Sequence, residues 1–98
     1  AQIREEVTVY IPSIVYFEFF YGVKSARDQK LARQIFEETE FISDTEETGV
    51  VAGKIASNYQ IGFADSFIAA ICLENDFHLA TLNNKHFKLV PKLKLWGK

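Results

Sequence analysis

The chain has 98 residues, 48% of them apolar, and a formal net charge of -2, a length and composition that allow one hydrophobic core and leave no room for a second domain. No apolar run approaches the roughly 18 uninterrupted residues of a membrane span, and no basic, apolar, small-residue leader opens the chain, so a soluble cytoplasmic protein is expected. The single Cys72 sits in the apolar stretch Phe67-Ile68-Ala69-Ala70-Ile71-Cys72-Leu73, has no partner for an internal disulfide, and reads as a small core residue in a reducing compartment.

Methionine is absent, and Ala1-Gln2-Ile3-Arg4-Glu5-Glu6 reads as the end of a helix, so the expectation is a single domain over 1–98 that lacks its N-terminal piece. Val7-Thr8-Val9-Tyr10-Ile11 is rich in strand formers and stops at Pro12, after which Ser13 can cap a helix from Ile14 to Val23. A second helix is predicted from about Asp28 to Glu40, with Leu31, Ile35 and Phe36 on its apolar side. Phe41-Ile42-Ser43 reads as a short strand, and Asp44 or Thr45 can cap a helix that carries Val50, Val51, Ile55 and Tyr59. Ile61-Gly62-Phe63-Ala64 leads into a largely apolar helix from Asp65 to Glu74. His78-Leu79-Ala80-Thr81-Leu82 then reads as a buried strand that ends at Asn83-Asn84, and Leu89 to Trp96 alternates in places like an edge strand. Strands alternating with helices predict an α/β fold with a mainly parallel central sheet flanked by helices.

Charge is unevenly spread. Glu37, Glu38, Glu40, Asp44, Glu46 and Glu47 crowd one segment, whereas Lys85, Lys88, Lys92, Lys94 and Lys98 mark a C-terminal stretch without acids. That basic end suits a polyanion, and it suits equally a lysine-protected edge strand.

Two acids stand in apolar surroundings. Glu18 is the one charge in Ile14-Val15-Tyr16-Phe17-Glu18-Phe19-Phe20-Tyr21-Gly22-Val23, and a helix apolar on nearly every side is expected to be central, with Glu18 at least partly buried. A carboxylate away from water costs several kcal/mol unless it is paired, hydrogen-bonded or bound to a cation. A salt bridge or an exposed strip would explain it without a metal. Asp65 is the one charge between Gln60 and Glu74, and taken alone it is explained as a helix N-cap. Both acids lie near the start of a helix that follows a strand or loop, and loops at the carboxyl ends of strands converge on one crevice in open α/β sheets. Asn83, at the end of a predicted strand, reaches the same edge. Two carboxylates and an amide oxygen are hard donors suited to magnesium or manganese.

Competing chemistries find little support. No Cys or His pair stands at zinc spacing, and there is no G-x-S-x-G elbow or glycine-rich phosphate loop. His78 reads as a strand-end residue and His86 as a surface or RNA-facing one. Phe17, Phe19, Phe20 and Tyr21 read as core or interface and not as a base-stacking platform.

Three segments in this order resemble the PIN-domain family of the VapC toxin type. Pro12-Ser13-Ile14-Val15-Tyr16-Phe17-Glu18-Phe19-Phe20-Tyr21-Gly22 resembles the strand-to-helix segment whose Glu belongs to the metal site, and Glu18 falls on that acid. Ile61-Gly62-Phe63-Ala64-Asp65-Ser66-Phe67-Ile68-Ala69-Ala70 resembles the segment whose Asp begins an Ile-Ala-Ala helix and binds metal, and Asp65 falls on it. Thr81-Leu82-Asn83-Asn84-Lys85-His86-Phe87 with Val90 to Trp96 is similar to the C-terminal signature, with Asn83 at a position that is Asp or Asn among relatives. The chain departs from the family in two places: no first strand ending in a Leu-Asp-Thr-type motif is present, and Tyr59-Gln60 passes directly to Ile61 where relatives carry basic and glycine residues.

The resemblance implies a three-layer PIN-like fold and a magnesium-dependent (Mg2+, with Mn2+ as an alternative) endoribonuclease toxin of a type II toxin–antitoxin system. Glu18, Asp65 and Asn83 would be its catalytic metal donors. RNA as substrate, a VapB-type antitoxin, a homodimer and no membrane are implied with it. Phe19 and Phe20 are expected on the helix that meets the antitoxin or a second subunit. The alternative, motivated by the missing first Asp, is a catalytically inactive α/β interaction module that dimerises and binds an antitoxin.

Overall fold

A computed structural model describes residues 7–82 and 84–97, arranged as two compact units, one reaching to Ser43 and the other beginning at Asp44. Asn83 lies outside the described residues.

The first unit contains β1 (Tyr10–Pro12), α1 (Ser13–Tyr21), α2 (Ala26–Phe36) and β2 (Glu40–Ile42). β1 and β2 pair in parallel, with Tyr10, Ile11 and Pro12 opposite Glu40, Phe41 and Ile42. The ladder opens with the Glu40 amide donating to the Val9 carbonyl at 2.8 Å, which draws Glu40 out of the helix the sequence predicts for it. Pro12, without an N–H, ends β1 and stands in extended conformation at the N-cap of α1, so Ser13 is the first helical residue and not its cap. α2 begins earlier than predicted because Ser25 is a true cap, its Oγ accepting from the Asp28 amide at 3.1 Å. Asp28 then lies in the first turn, where its charge suits the helix dipole.

An aromatic cluster joins these elements. Tyr16 lies 4.7 Å from Phe36 and 6.1 Å from Phe41 between ring centroids, and Phe19 meets Phe36 edge-on at 5.2 Å. The Arg33 guanidinium stands 5.7 Å from the Phe20 ring centre, within cation–π range. This one-sided packing corrects the expectation of a central helix: α1 has no buried residue, and Phe17, Glu18, Phe19 and Tyr21 are all exposed.

The second unit holds α3 (Glu46–Tyr59), α4 (Phe63–Asn75), β3 (His78–Leu79), α5 (Asn84–Phe87) and β4 (Lys94–Leu95). Its core is Ala52, Ile55, Ile61, Ala69, Ala70, Cys72, Leu79, Phe87 and Val90, with Ala69 and Ala70 wholly inaccessible at 0%. β3 and β4 form a parallel ladder pairing His78 with Lys94 and Leu79 with Leu95. The predicted strand from His78 to Leu82 is therefore cut short, and Leu82 is fully exposed. The chain links α3 to α4 through Gln60, Ile61 and Gly62, with Gln60 in the left-handed region at φ 57°.

α3 is capped as the sequence predicts at Thr45, in a reciprocal pair with Thr48: the Thr48 amide donates to Thr45 Oγ1 at 3.3 Å and the Thr45 amide to Thr48 Oγ1 at 2.8 Å. Thr48 Oγ1 in turn donates to Glu74 Oε1 at 2.6 Å, tying the head of α3 to the tail of α4. Thr48 is buried at 1%, so Thr48→Val keeps the shape and strips the hydrogen bonds of the hydroxyl to Thr45 and Glu74. The expected cost is about 1–2 kcal/mol, read as a lower urea midpoint; an unchanged midpoint would mean that the capping network contributes nothing net.

Cys72 lies in the core as predicted, and burial pushes its thiol up to about 11. It is therefore protonated at neutral pH and a poor nucleophile. Iodoacetamide at pH 8 is expected to leave the native protein unlabelled and to alkylate it fully in denaturant; fast native labelling would contradict the buried placement.

Candidate metal centre and its surroundings

Asp65 stands in the first turn of α4, three residues after the N-cap Gly62. It is not the cap. Gly62 takes that position in extended conformation with no side-chain cap bond, and Ser66 Oγ instead donates back to the Gly62 carbonyl at 2.7 Å. The capping explanation that competed for Asp65 is thereby removed, and its carboxylate, 34% exposed, has both oxygens clear of the helix backbone donors. The positive end of α4 favours the anion there.

Among the described residues Asp65 has one ion-pair contact, with His86, whose Nδ1 lies 3.9 Å from Asp65 Oδ2. α5 brings it there because Phe87, its neighbour in the chain, is buried in the core. Sequence reasoning reads His86 as a surface residue, and 54% exposure agrees. That Asp65 is its neighbour was not legible, since a contact between distant segments leaves no periodic trace in the sequence.

Glu18 lies on α1 in the first unit, exposed, which corrects the expectation that it is partly buried. The reason is the packing described above: the aromatic cluster takes up the Tyr16 and Phe20 side of α1, and Glu18 shares the uncovered side with Phe17 and Tyr21. Among the described residues Glu18 has no ion pair. Of the two readings that explain Glu18 without a metal, the salt bridge is absent among the described residues and the exposed strip is the one the structure shows.

Carboxylate oxygens that are accessible and not consumed by capping or pairing fit a hard divalent cation. Among the described residues no three His, Cys, Asp or Glu side chains form a group able to hold a metal, and Asn83 lies outside them. The donors on view are thus individually suitable and form an incomplete set.

An open groove of about 470 Å³ is lined by His78, Lys88, Leu93, Lys94 and Leu95. Lys94 is engaged there with Asp76 at 2.6 Å, and the hydrogen bond and charge of Lys94 hold the Asp76 carboxyl below its ordinary range. The pair is exposed and contributes little to stability. His78 begins β3, as expected for a strand-end residue, with its ring edge-on to Trp96 at 6.2 Å. No described helix is long and apolar enough to cross a membrane.

Parallel ladders alternating with helices, with an accessible acid at the head of a buried helix, define an α/β domain. A family model described as "PIN domain" matches residues 1–93. The chain belongs to the PIN-domain family, and it has that family's α/β fold. PIN domains are generally nucleases and typically use divalent metals. Among solved structures, the chain is similar to one in the crystal structure of VapBC2 from Rickettsia felis bound to a DNA fragment from their promoter. That likeness has a TM-score of 0.80 and 28% sequence identity, covering 90% of this chain and 73% of that one. No curated protein sequence matches.

Proposed function

We propose that this chain is a metal-dependent endoribonuclease of the VapC toxin type, which hydrolyses RNA phosphodiester bonds. The observation that carries the reading is Asp65: in a PIN domain, the Asp of the Ile-Gly-x-x-Asp segment sits at the head of α4 with an accessible carboxylate that no capping role consumes. Glu18 and Asn83 join it as proposed donors on the strength of their motifs. Similarity to VapBC2 supports an antitoxin as partner; a homodimer and a cytoplasmic location complete the proposal.

A bound magnesium or manganese ion would supply Lewis acidity, neutralising charge on the phosphodiester and lowering the pKa of a coordinated water. Asp65 would hold it from a helix terminus rigidly fixed by the Ala69–Ala70 core contacts, and Glu18 from α1, each as an anionic oxygen donor. Neither acid is a nucleophile in this scheme. Without a cation, such acids repel the RNA backbone, so binding of substrate as well as cleavage depends on metal.

The exposed Phe17, Phe19 and Tyr21 of α1 favour a second reading, a catalytically inactive module that uses this face to dimerise and bind an antitoxin. Incubation of the purified chain with labelled RNA decides between them. Cleavage that needs magnesium and stops with EDTA is expected; no cleavage under any divalent metal would leave the second reading.

A further inference from the structure

His86 is held beside Asp65 by the backbone on both sides of it. Lys88 N–H donates to the Asn84 carbonyl at 3.0 Å and Leu89 N–H to the His86 carbonyl at 3.2 Å, closing the turn around the residue. Phe87, 3% exposed, pins the same turn into the core. The imidazole itself is half open to solvent and, among the described residues, makes no hydrogen bond. Among the described residues it is the one side chain in polar or charged contact with Asp65.

A separation of 3.9 Å is longer than the 2.7–3.2 Å or so of an N–H···O bond, and a small rotation of either exposed side chain closes it. Carboxylates that hold a metal through one oxygen are commonly fixed through the other by an outer donor, which sets the ligand's orientation. We infer that His86 is a positioning residue for Asp65, its Nδ1–H orienting the carboxylate to hold a divalent cation. This rests on the proposed function, because it requires Asp65 to be a metal ligand. It requires no charge on the ring: the neutral tautomer with its proton on Nδ1 suffices.

The test is Mn2+ binding to the purified full chain, followed through the electron paramagnetic resonance signal of the free aquo ion, for the wild type, Asp65→Asn, His86→Ala and His86→Asn. His86→Ala is expected to weaken Mn2+ binding by about 10–100-fold. His86→Asn, whose amide nitrogen is a neutral donor close to the position of Nδ1, is expected to restore affinity to within a few-fold of wild type. Circular dichroism checks that each variant keeps its helices, as expected for changes at a half-exposed side chain. If Asp65→Asn loses Mn2+ while His86→Ala binds it like wild type, the inference falls and the functional reading stands. If His86→Asn is as weak as His86→Ala, a donor role is likewise refuted. Equal binding by wild type and Asp65→Asn, or binding by neither, removes Asp65 as a ligand and overturns both.

Discussion

Asp65→Asn is expected to lose RNA cleavage by more than the roughly 10–100-fold that removal of an outer-shell partner costs a metal site. The substitution is nearly isosteric and replaces an anionic oxygen donor by a neutral amide. Its structural cost is limited to a less favourable interaction with the N-terminal end of α4, about 0.3–1 kcal/mol, against a total stability on the order of 5–15 kcal/mol for a domain. Activity and fold should therefore separate: single-turnover cleavage in magnesium collapses while the melting curve hardly moves. Cleavage within about threefold of wild type, well short of even an outer-shell loss, would take Asp65 out of the reaction. Glu18→Gln extends the same logic. Because Glu18 is exposed and unpaired among the described residues, its neutralisation has no buried salt bridge to break, and lost cleavage with unchanged melting would assign it to the cation.

Phe87→Ala is expected to cost about 3–5 kcal/mol, the usual range for removing a buried Phe side chain. That is a large part of the stability available to a small domain, so the urea midpoint should fall sharply. Phe87 ties α5 into the core of the second unit, whose other members include Ala52, Ile55, Ile61, Ala69, Ala70, Leu79 and Val90. Phe87→Leu keeps most of the volume and is expected to cost about 1.5 kcal/mol or less. A loss below roughly 1 kcal/mol for Phe87→Ala, far under the range for a buried ring, would contradict its place in the core. The two variants also bear on the candidate site, because Phe87 holds the turn that carries His86 to Asp65.

Several features of this protein are determined by local sequence. Thr45 and Thr48 have the spacing of a reciprocal cap and form one; Cys72 has an apolar neighbourhood and is buried; the alternation of strand and helix formers yields parallel ladders. Asp65 was legible as the acid at the head of an apolar helix, and its motif carries the family. Tertiary structure decided the rest. A run such as Ile14 to Val23 is apolar on almost every side, so its sequence does not say which side a neighbour will cover; the Phe36 and Phe41 rings chose one, and Glu18 was left exposed on another. Strand lengths likewise depend on a partner: residues with strand propensity from Val7 to Ile11 and from His78 to Leu82 extend as ladders only where β2 and β4 supply donors and acceptors. The pairing of His86 with Asp65 belongs to the same class. Periodicity reports the face of a single element, whereas the approach of two side chains from distant segments is set by the core between them, here by Phe87 seated in the core of the second unit.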